Sequence, residues 1–524
     1  MIKLLKRNGV RIAIANDIEI EGLTEAQEDR IKEQLTFDNP QYAQVMKYSK
    51  WSSTNVPKYL MYYRAWTSKS GKRLIRVPLG YRLPKNILIK DSVDMRADVT
   101  TDIPDFKMTL RQTQQEALEK YLDSAERIPL CSTVQLPTGK GKTILGLAIA
   151  HRLQAKTLIV VHKTDLVTGW KADIVKAFDG KADVGIIKAK SRSTGRHFTI
   201  ATIQTLNRLP KEQLADLYNS FGLVIQDEMH HCPSSTFSLV NNFNCKYRLG
   251  LTATPERNDG LTHVMHLFFG DICYKYEHTA DDTDILPVQV IRRSVSTYFN
   301  PICRLGITPK NPEEDERTFN PLAVLKANEC RITELDYFER GSIPHLLIDG
   351  AVVNHPDTYL EVCDDIKREY QQGHSCIVFL ATVESVDHYK EILVRYGVPE
   401  EDIGLYYGKN RHCDKVLEKA ESKRAFITLA TYSKATEGTN VKQWEVGFLV
   451  SSVNNGKSVE QAVGRIRRIT DKPKLEKAVL YDYRYPQVYT LSGHGATRDS
   501  RYTKLKFIGA ALNKRSLFTR GYNK

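Results

Sequence analysis

No apolar run in these 524 residues approaches the length of a membrane span, and the opening Met-Ile-Lys-Leu-Leu-Lys-Arg has no apolar stretch of the kind a secretory signal needs. Nine cysteines are scattered singly, with no Cys-x-x-Cys pair. That pattern gives no zinc ribbon and no disulfide framework, and it fits a reducing compartment. Low-complexity tracts are also missing. These absences leave a globular, cytoplasmic protein (host cytoplasm, for a viral chain) that needs no membrane partner. A chain of this length predicts about three to four domains. The most local absence is of acid: positions 39–90 hold no Asp or Glu, yet carry eleven Lys/Arg and eight large aromatics.

The charge that remains is positive, +14 at neutral pH with a sequence pI near 9.1. A polyanionic partner, most simply nucleic acid, accounts for it, and so does a solvated basic surface. Charge alone does not separate the two.

Positions 136–143 read Leu-Pro-Thr-Gly-Lys-Gly-Lys-Thr, between a short strand-like stretch and an apolar helical run. That context is what a phosphate-binding loop requires. Pro137, Thr138, Gly139, Lys140 and Gly141 supply a backbone that closes around phosphate oxygens in front of a helix N-terminus. Lys142 reaches the β- and γ-phosphates, and the Thr143 hydroxyl can ligate Mg²⁺. These residues imply ATP with Mg²⁺. Asp227 and Glu228 follow the apolar stretch Leu-Val-Ile-Gln. At the carboxyl edge of a parallel sheet, Asp227 can hold the Mg²⁺ shell while Glu228 polarises the attacking water. The neighbouring His230, His231 and Cys232 diverge along the chain and form no metal site. Gly-Leu-Thr-Ala-Thr-Pro at 250–255 offers the Thr252 and Thr254 hydroxyls as relays of nucleotide state. At 461–468, helical spacing places Gln461, Arg465 and Arg468 on one face. An Arg from a second lobe can neutralise charge developing on the γ-phosphate, although three arginines alone read equally as a solvated basic helix.

Strand-like runs alternate with helical patterns in two sets, 105–285 and 346–485, which predicts two parallel α/β lobes. Segment 286–345 reads as an interlobe connection ending in a helix, and 486–524 as a basic C-terminal tail. Segment 1–104 is different in kind: a small basic α+β domain with antiparallel strands around 58–66 and 73–77, suited to docking on DNA.

The ordered set, Arg111 with Gln114, 136–143, 227–230, 252–254, Glu437-Gly438 and 461–468, resembles the superfamily 2 helicases of the DExH type. Within that superfamily it looks like the xeroderma pigmentosum B-type group and the tailed-phage branch-migration helicases. The resemblance implies two tandem RecA-like lobes with ATP between them. It implies that Gln114, with Arg111 nearby, reads adenine, that Gly438 belongs to the nucleotide site, and that Arg465 and Arg468 are arginine fingers. His230 would couple the ATP site to the DNA track. It also implies branched DNA (forks, Holliday-type junctions) as substrate, and replication or recombination proteins as partners. The sequence departs from relatives at Asn258, which interrupts an Arg-Glu-Asp element, and at Asn440, where many carry Asp. A double-stranded DNA translocase that does not separate strands, an RNA helicase, and an ATP-gated clamp remain as rivals, the intact Glu228 and Arg468 weighing against the clamp.

Overall fold

Strands buried on both faces are written as uninterrupted apolar runs, and strands with one wet face alternate. Both kinds occur here. The computed structural model describes residues 9–48, 56–125, 131–137, 139–188, 191–229, 239–253, 261–277, 285–295, 345–408, 410–435, 441–469, 475–486, 491 and 493–509. The chain divides into two units, Met1–Tyr276 and Glu277–Lys524.

In the first unit the strands Val10–Ile14, Asp17–Glu21 and Arg73–Pro78 alternate, turning Ile12, Ile14, Ile18, Ile20, Ile75 and Val77 inward. They sit in a five-stranded sheet ordered Arg64–Thr67, Arg73–Pro78, Asp17–Glu21, Val10–Ile14, Ile89–Asp94, antiparallel except for the last pair. Helix Glu25–Gln34 starts at a reciprocal cap, the Thr24 hydroxyl accepting from Gln27 N–H while the Gln27 side chain accepts from Thr24 N–H. The antiparallel expectation for the basic window holds: Tyr59–Met61 pairs with Thr36–Asp38, and Arg64–Thr67 with Arg73–Pro78.

The second sheet of this unit has eight strands: Ser191–Arg192, Val184–Lys188, Phe198–Thr202, Thr157–Val161, Leu223–Gln226, Tyr247–Thr252, Cys131–Gln135, Ile272–Lys275. All neighbours are parallel except the first pair. Thr157–Val161, Phe198–Thr202 and Leu223–Gln226 are buried along their whole length, because helices cover both faces.

Segment 1–104 is not a free-standing domain. Phe37, Leu60 and Tyr62 pack against the lobe's cluster of Val264, Met265 and Phe268, while Cys131 and Leu267 of the lobe join the cluster of Ile12, Ile31 and Ile75. Arg248, buried in strand Tyr247–Thr252, donates to Asn16 O at 2.9 Å and to Phe243 O at 2.9 Å. Gly80 N–H donates to Leu267 O at 2.8 Å, and a Cβ there would lie 2.2 Å from His266 O, so only glycine permits the approach. The five-stranded sheet and the lobe therefore meet in an apolar seam through Cys131 and Leu267.

The second unit holds six parallel strands in the order Val288–Ser294, Ala478–Arg484, Val446–Leu449, Cys376–Leu380, Ile427–Thr431, Ile403–Tyr406. Two boundaries move. The expected connection at 286–345 begins with a sheet strand, Val288–Ser294, pinned where Arg293 meets Asp365 at 2.9 Å and Arg292 meets Asp499 at 2.8 Å. The helix expected later in that segment falls at 296–344, outside the described residues; helix His345–Val353 follows. The expected tail also carries structure. Helix His494–Lys504 buries Tyr502 among Val459, Ala462, Val463 and Ile466, and Ile508 bridges to Gln289. Arg498, Asp499 and Arg501 concealed a core contribution, because they are spent on internal ion pairs.

Candidate nucleotide site

Three adjacent parallel strands of the first unit deliver the candidate residues from their carboxyl ends. Cys131–Gln135 leads into the phosphate loop, Tyr247–Thr252 lies beside it, and Leu223–Gln226 leads to Asp227 and Glu228. Open α/β sheets place ligand sites at such edges. Leu136 N–H donates to Thr252 O at 3.0 Å and the Gln135 amide donates to Ala253 O at 3.3 Å, so the loop's root is stitched to the Thr252 segment.

Gly139 (φ 89°) and Gly141 (φ 73°) take left-handed backbone, and Gly141 caps helix Lys142–Leu153. This orients the helix's first N–H groups toward the loop, an anion cradle. The loop is braced from outside. Arg111 Nη1 donates to Gly139 O at 3.1 Å and Gln114 Nε2 donates to Gly141 O at 3.0 Å. A Cβ on Gly141 would meet Gln114 Nε2 at 2.3 Å, so the brace and the glycine require each other. Gln114 Oε1 accepts from Arg111 N–H at 2.9 Å. One amide N–H and one lone pair of Gln114 are left over by these two bonds. Lys140 is fully buried with its ammonium 4.6 Å from the Tyr276 ring centroid, and it joins the loop through its backbone.

Lys142 Nζ lies 3.0 Å from Glu228 Oε1 and donates to Leu136 O at 3.3 Å. Glu228 itself sits at φ 45°, a left-handed conformation that costs a non-glycine residue on the order of 1 kcal/mol. Asp227 is buried; its Oδ1 accepts from Glu228 N–H at 2.9 Å and its Oδ2 from the Trp170 indole N–H at 2.9 Å. Burial, and then the negative Glu228 beside it, push the Asp227 carboxyl above its ordinary range, against the pull of Lys142. Two carboxylates facing one ammonium make a site that a divalent cation would complete. With the Thr143 hydroxyl the donors are hard oxygens, the set Mg²⁺ takes. Asp227 and the Thr143 hydroxyl would hold Mg²⁺ there, and it would supply positive charge to offset that of the phosphates.

Trp170 escaped sequence reasoning. It falls on the buried face of helix Thr164–Ala177 and packs in the core, with nothing local in the sequence to mark its indole N–H as a donor. A Cβ on Gly146 would come within 3.1 Å of the indole, so the ring fills a slot left by a glycine in the helix behind the phosphate loop. Tyr276, whose ring faces the Lys140 ammonium, also packs in the core of this lobe.

In the second unit, helix Gly456–Ile466 places Gln461 and Arg465, both buried, four residues apart on one face. The same-face expectation for Arg468 fails, because the helix ends before it. Leu286 N–H donates to Arg467 O at 2.9 Å and Arg467 Nε donates to Leu286 O at 3.0 Å, drawing the chain off the helical path. Thr138, His230, Thr254 and Gly438 lie outside the described residues, as do Asn258 and Asn440.

Two family models match this chain: "Type III restriction enzyme, res subunit" over residues 107–257 and "Helicase conserved C-terminal domain" over 358–470. Among relatives, a "probable helicase" of Escherichia phage T5 is 27% identical over 72% of this chain and 72% of its own length. A DNA 3'-5' translocase of Sulfurisphaera tokodaii is 36% identical over 37% of this chain and 43% of its own. A protein of Acanthamoeba polyphaga mimivirus, named provisionally as an ATP-dependent RNA helicase, is 26% identical over 69% of this chain and 61% of its own. The two matched regions, on paired parallel sheets with this loop and these carboxylates, are those of a two-lobed nucleotide-driven motor. The chain belongs to the superfamily 2 helicases, and it resembles the phage helicases and the xeroderma pigmentosum B-type group within them.

Proposed function

We propose that this chain is an ATP-dependent DNA helicase or translocase acting on branched DNA, forks and Holliday-type junctions, in recombination, repair or replication. The observation that carries the reading is the trio at the loop, with Lys142 3.0 Å from Glu228 and Asp227 buried beside them. In this reading Lys142 leaves Glu228 for the β/γ-phosphates when ATP enters, and Glu228 is released to orient the attacking water. Asp227 and Thr143 hold the Mg²⁺ shell, with Trp170 fixing the Asp227 carboxylate. Arg465 and Arg468 meet the charge that develops on the γ-phosphate. Thr252, tied to Leu136, relays nucleotide state, together with Thr254 and His230.

The basic face of 1–104 supports a nucleic-acid anchor, in reduced form. Lys72, Arg73 and Arg76 are neutralised by Glu21, Glu25 and Glu19. Exposed Lys58, Arg64, Lys69, Lys85 and Lys90 make no ion pair among the described residues, and they would meet phosphates. Of the rings, Tyr62 packs on Phe268 and Tyr81 is buried; Tyr59, 46% exposed, is the described ring best placed to stack on an unpaired base.

The test is ATP turnover with single-stranded DNA, forked DNA, duplex and RNA, followed by strand displacement on fork, Holliday junction and blunt duplex. Stimulation by DNA with displacement of forks and junctions is expected. Turnover on duplex without displacement would favour a strand-preserving translocase, in keeping with the restriction-subunit match over 107–257. Stimulation by RNA alone would overturn the DNA assignment.

A further inference from the structure

Helix His494–Lys504 lies in what composition marks as a basic tail, yet three of its charges, Arg498, Asp499 and Arg501, turn inward. Arg498 is 2% exposed, and its guanidinium is divided among Asp482 at 2.7 Å, Tyr483 O at 3.0 Å and Val453 O at 3.2 Å. One turn earlier, His494 Nδ1 lies 2.9 Å from Ser452 Oγ. One turn later, Arg501 Nη2 bonds Glu460 Oε2. Asp499 joins Arg292 at 2.8 Å and Arg484, tying the same helix to the two edge-side strands of the sheet.

The three contacts of His494, Arg498 and Arg501 share a target. Ser452 and Val453 belong to the turn that leaves strand Val446–Leu449, and Glu460 stands in the helix that turn feeds, Gly456–Ile466. That turn is also held from behind, with Ser452 N–H donating to Asp349 Oδ1 at 2.6 Å and the Tyr485 hydroxyl to Val450 O at 2.7 Å. Glu460 precedes Gln461, and on a helix it points about 100° away from the row shared by Gln461 and Arg465. The grip falls on one side of the helix and leaves the arginine row on another.

We propose that helix His494–Lys504 is a positioning element for ATP hydrolysis: through His494, Arg498 and Arg501 it sets the turn and helix that present Gln461 and Arg465. The inference rests on the reading that Arg465 acts on the nucleotide. An arginine finger works only where its charge meets the transition state, and misplacement by about 1 Å can cost 100-fold. A guanidinium buried at three acceptors is a fixed reference point, and it suits a helix that must keep its register while the bound nucleotide changes.

The experiment uses the full chain and Arg501→Met, which removes the bond to Glu460 and leaves buried Arg498 in place. DNA-stimulated kcat should fall on the order of tenfold with the ATP KM within about twofold, the range for coupled neighbours. The melting temperature should fall by several degrees, because buried Glu460 loses the guanidinium beside it, so turnover is read well below the melting range of the variant. The decisive arm is the Arg465→Ala background, read with enzyme in excess over labelled ATP so that slow turnover stays visible. There Arg501→Met should change the rate less than about twofold, because the group it positions is gone. Equal losses in both backgrounds would mark a general structural effect and overturn the proposal, as would wild-type kcat in Arg501→Met alone. If Arg501→Met does not fold, Arg501→Lys carries the same test with a smaller loss. Wild-type turnover in Arg465→Ala would overturn the nucleotide role of Arg465 and the positioning role with it, whereas collapse in Arg465→Ala beside full activity in Arg501→Met would sink positioning alone.

Discussion

The two units bury charge in opposite ways. At the phosphate loop, Asp227 and Glu228 share one nearby ammonium, Lys142, and burial with its acidic neighbour holds Asp227 above the ordinary carboxylate range. In the second unit Asp482 and Asp499 sit among Arg292, Arg484 and Arg498. Burial alone would raise the Asp499 carboxyl, yet bonds to Arg484 and Arg292 hold it below the usual range. In the first cluster burial outweighs the neighbouring cations at Asp227, and in the second the arginines outweigh burial at Asp499. A carboxyl that folding leaves above its ordinary range suits a site for a cationic cofactor, whereas acids locked to buried arginines make a fastening. Similar parallel sheets therefore carry one place where partners must exchange and one where they must not.

That contrast can be broken most severely at Lys142. Lys142→Ala removes the only cation of the trio, so DNA-stimulated hydrolysis and unwinding should be abolished while the folded chain still binds DNA. Near-wild-type turnover in the purified variant would mean that the phosphate loop is misassigned. Arg468→Ala comes next, with a loss on the order of 10³-fold in turnover and a much smaller change in nucleotide affinity, since the charge it meets develops mainly in the transition state. Parallel losses in affinity and turnover would place Arg468 at the ground-state nucleotide instead.

A milder test concerns exposed charge, which should behave like neither cluster. Replacing Lys58, Arg64 and Lys69 together by Gln should make the dependence of log affinity on log salt shallower by about 2 to 3 on duplex DNA, with basal ATP turnover unchanged. An unaltered slope would remove this face from the DNA track. The smallest effect on turnover, none, is expected for Asp349→Asn, which keeps the oxygen that Ser452 N–H uses. Burial lifts the Asp349 carboxyl to about 6. The folded chain then keeps a proton up to that pH, whereas the unfolded chain releases it near 4. Native stability carried by this group is accordingly full below about pH 4 and is lost as pH rises through about 6. The substituted amide never ionises, so the variant should gain roughly 2–3 kcal/mol over the natural chain at pH 7.5, and that gain should vanish near pH 4. Melting curves at the two pH values decide it; a gain independent of pH would point to packing rather than ionisation.

The nucleotide loop and the acidic pair were legible because their chemistry needs particular residue types in a particular order, and the strands feeding them are unbroken apolar runs. Thr157–Val161, Phe198–Thr202 and Cys376–Leu380 fall where their apolar residues predict. Legibility ended where tertiary contacts outvote local pattern. Val288–Ser294, with Arg292 and Arg293 in its second half, does not read as a sheet strand, since the acids that neutralise it are 72 and 207 residues away. Segment 486–524 read only as a basic tail because composition cannot tell an arginine facing water from one facing Asp482. Arg468 was set on a helical face by spacing, and only the bonds between Arg467 and Leu286 reveal that the helix has already ended. Trp170 had no signal of its own, because an indole that packs and donates at once is written in the same letter as one that only packs.

The apolar seam of the first unit bears on how such a motor could be rebuilt. With Tyr62 against Phe268, Gly80 against His266 and Asn16 held by Arg248, the small sheet is welded to helix Thr262–Phe269 and to strand Tyr247–Thr252 of the lobe. It is no interchangeable cassette. A chimera cut near residue 104 would leave two raw apolar faces, one on the donor and one on the recipient. A workable transplant would have to carry the 247–270 stretch along with residues 1–104, and so would import part of the nucleotide-binding lobe itself.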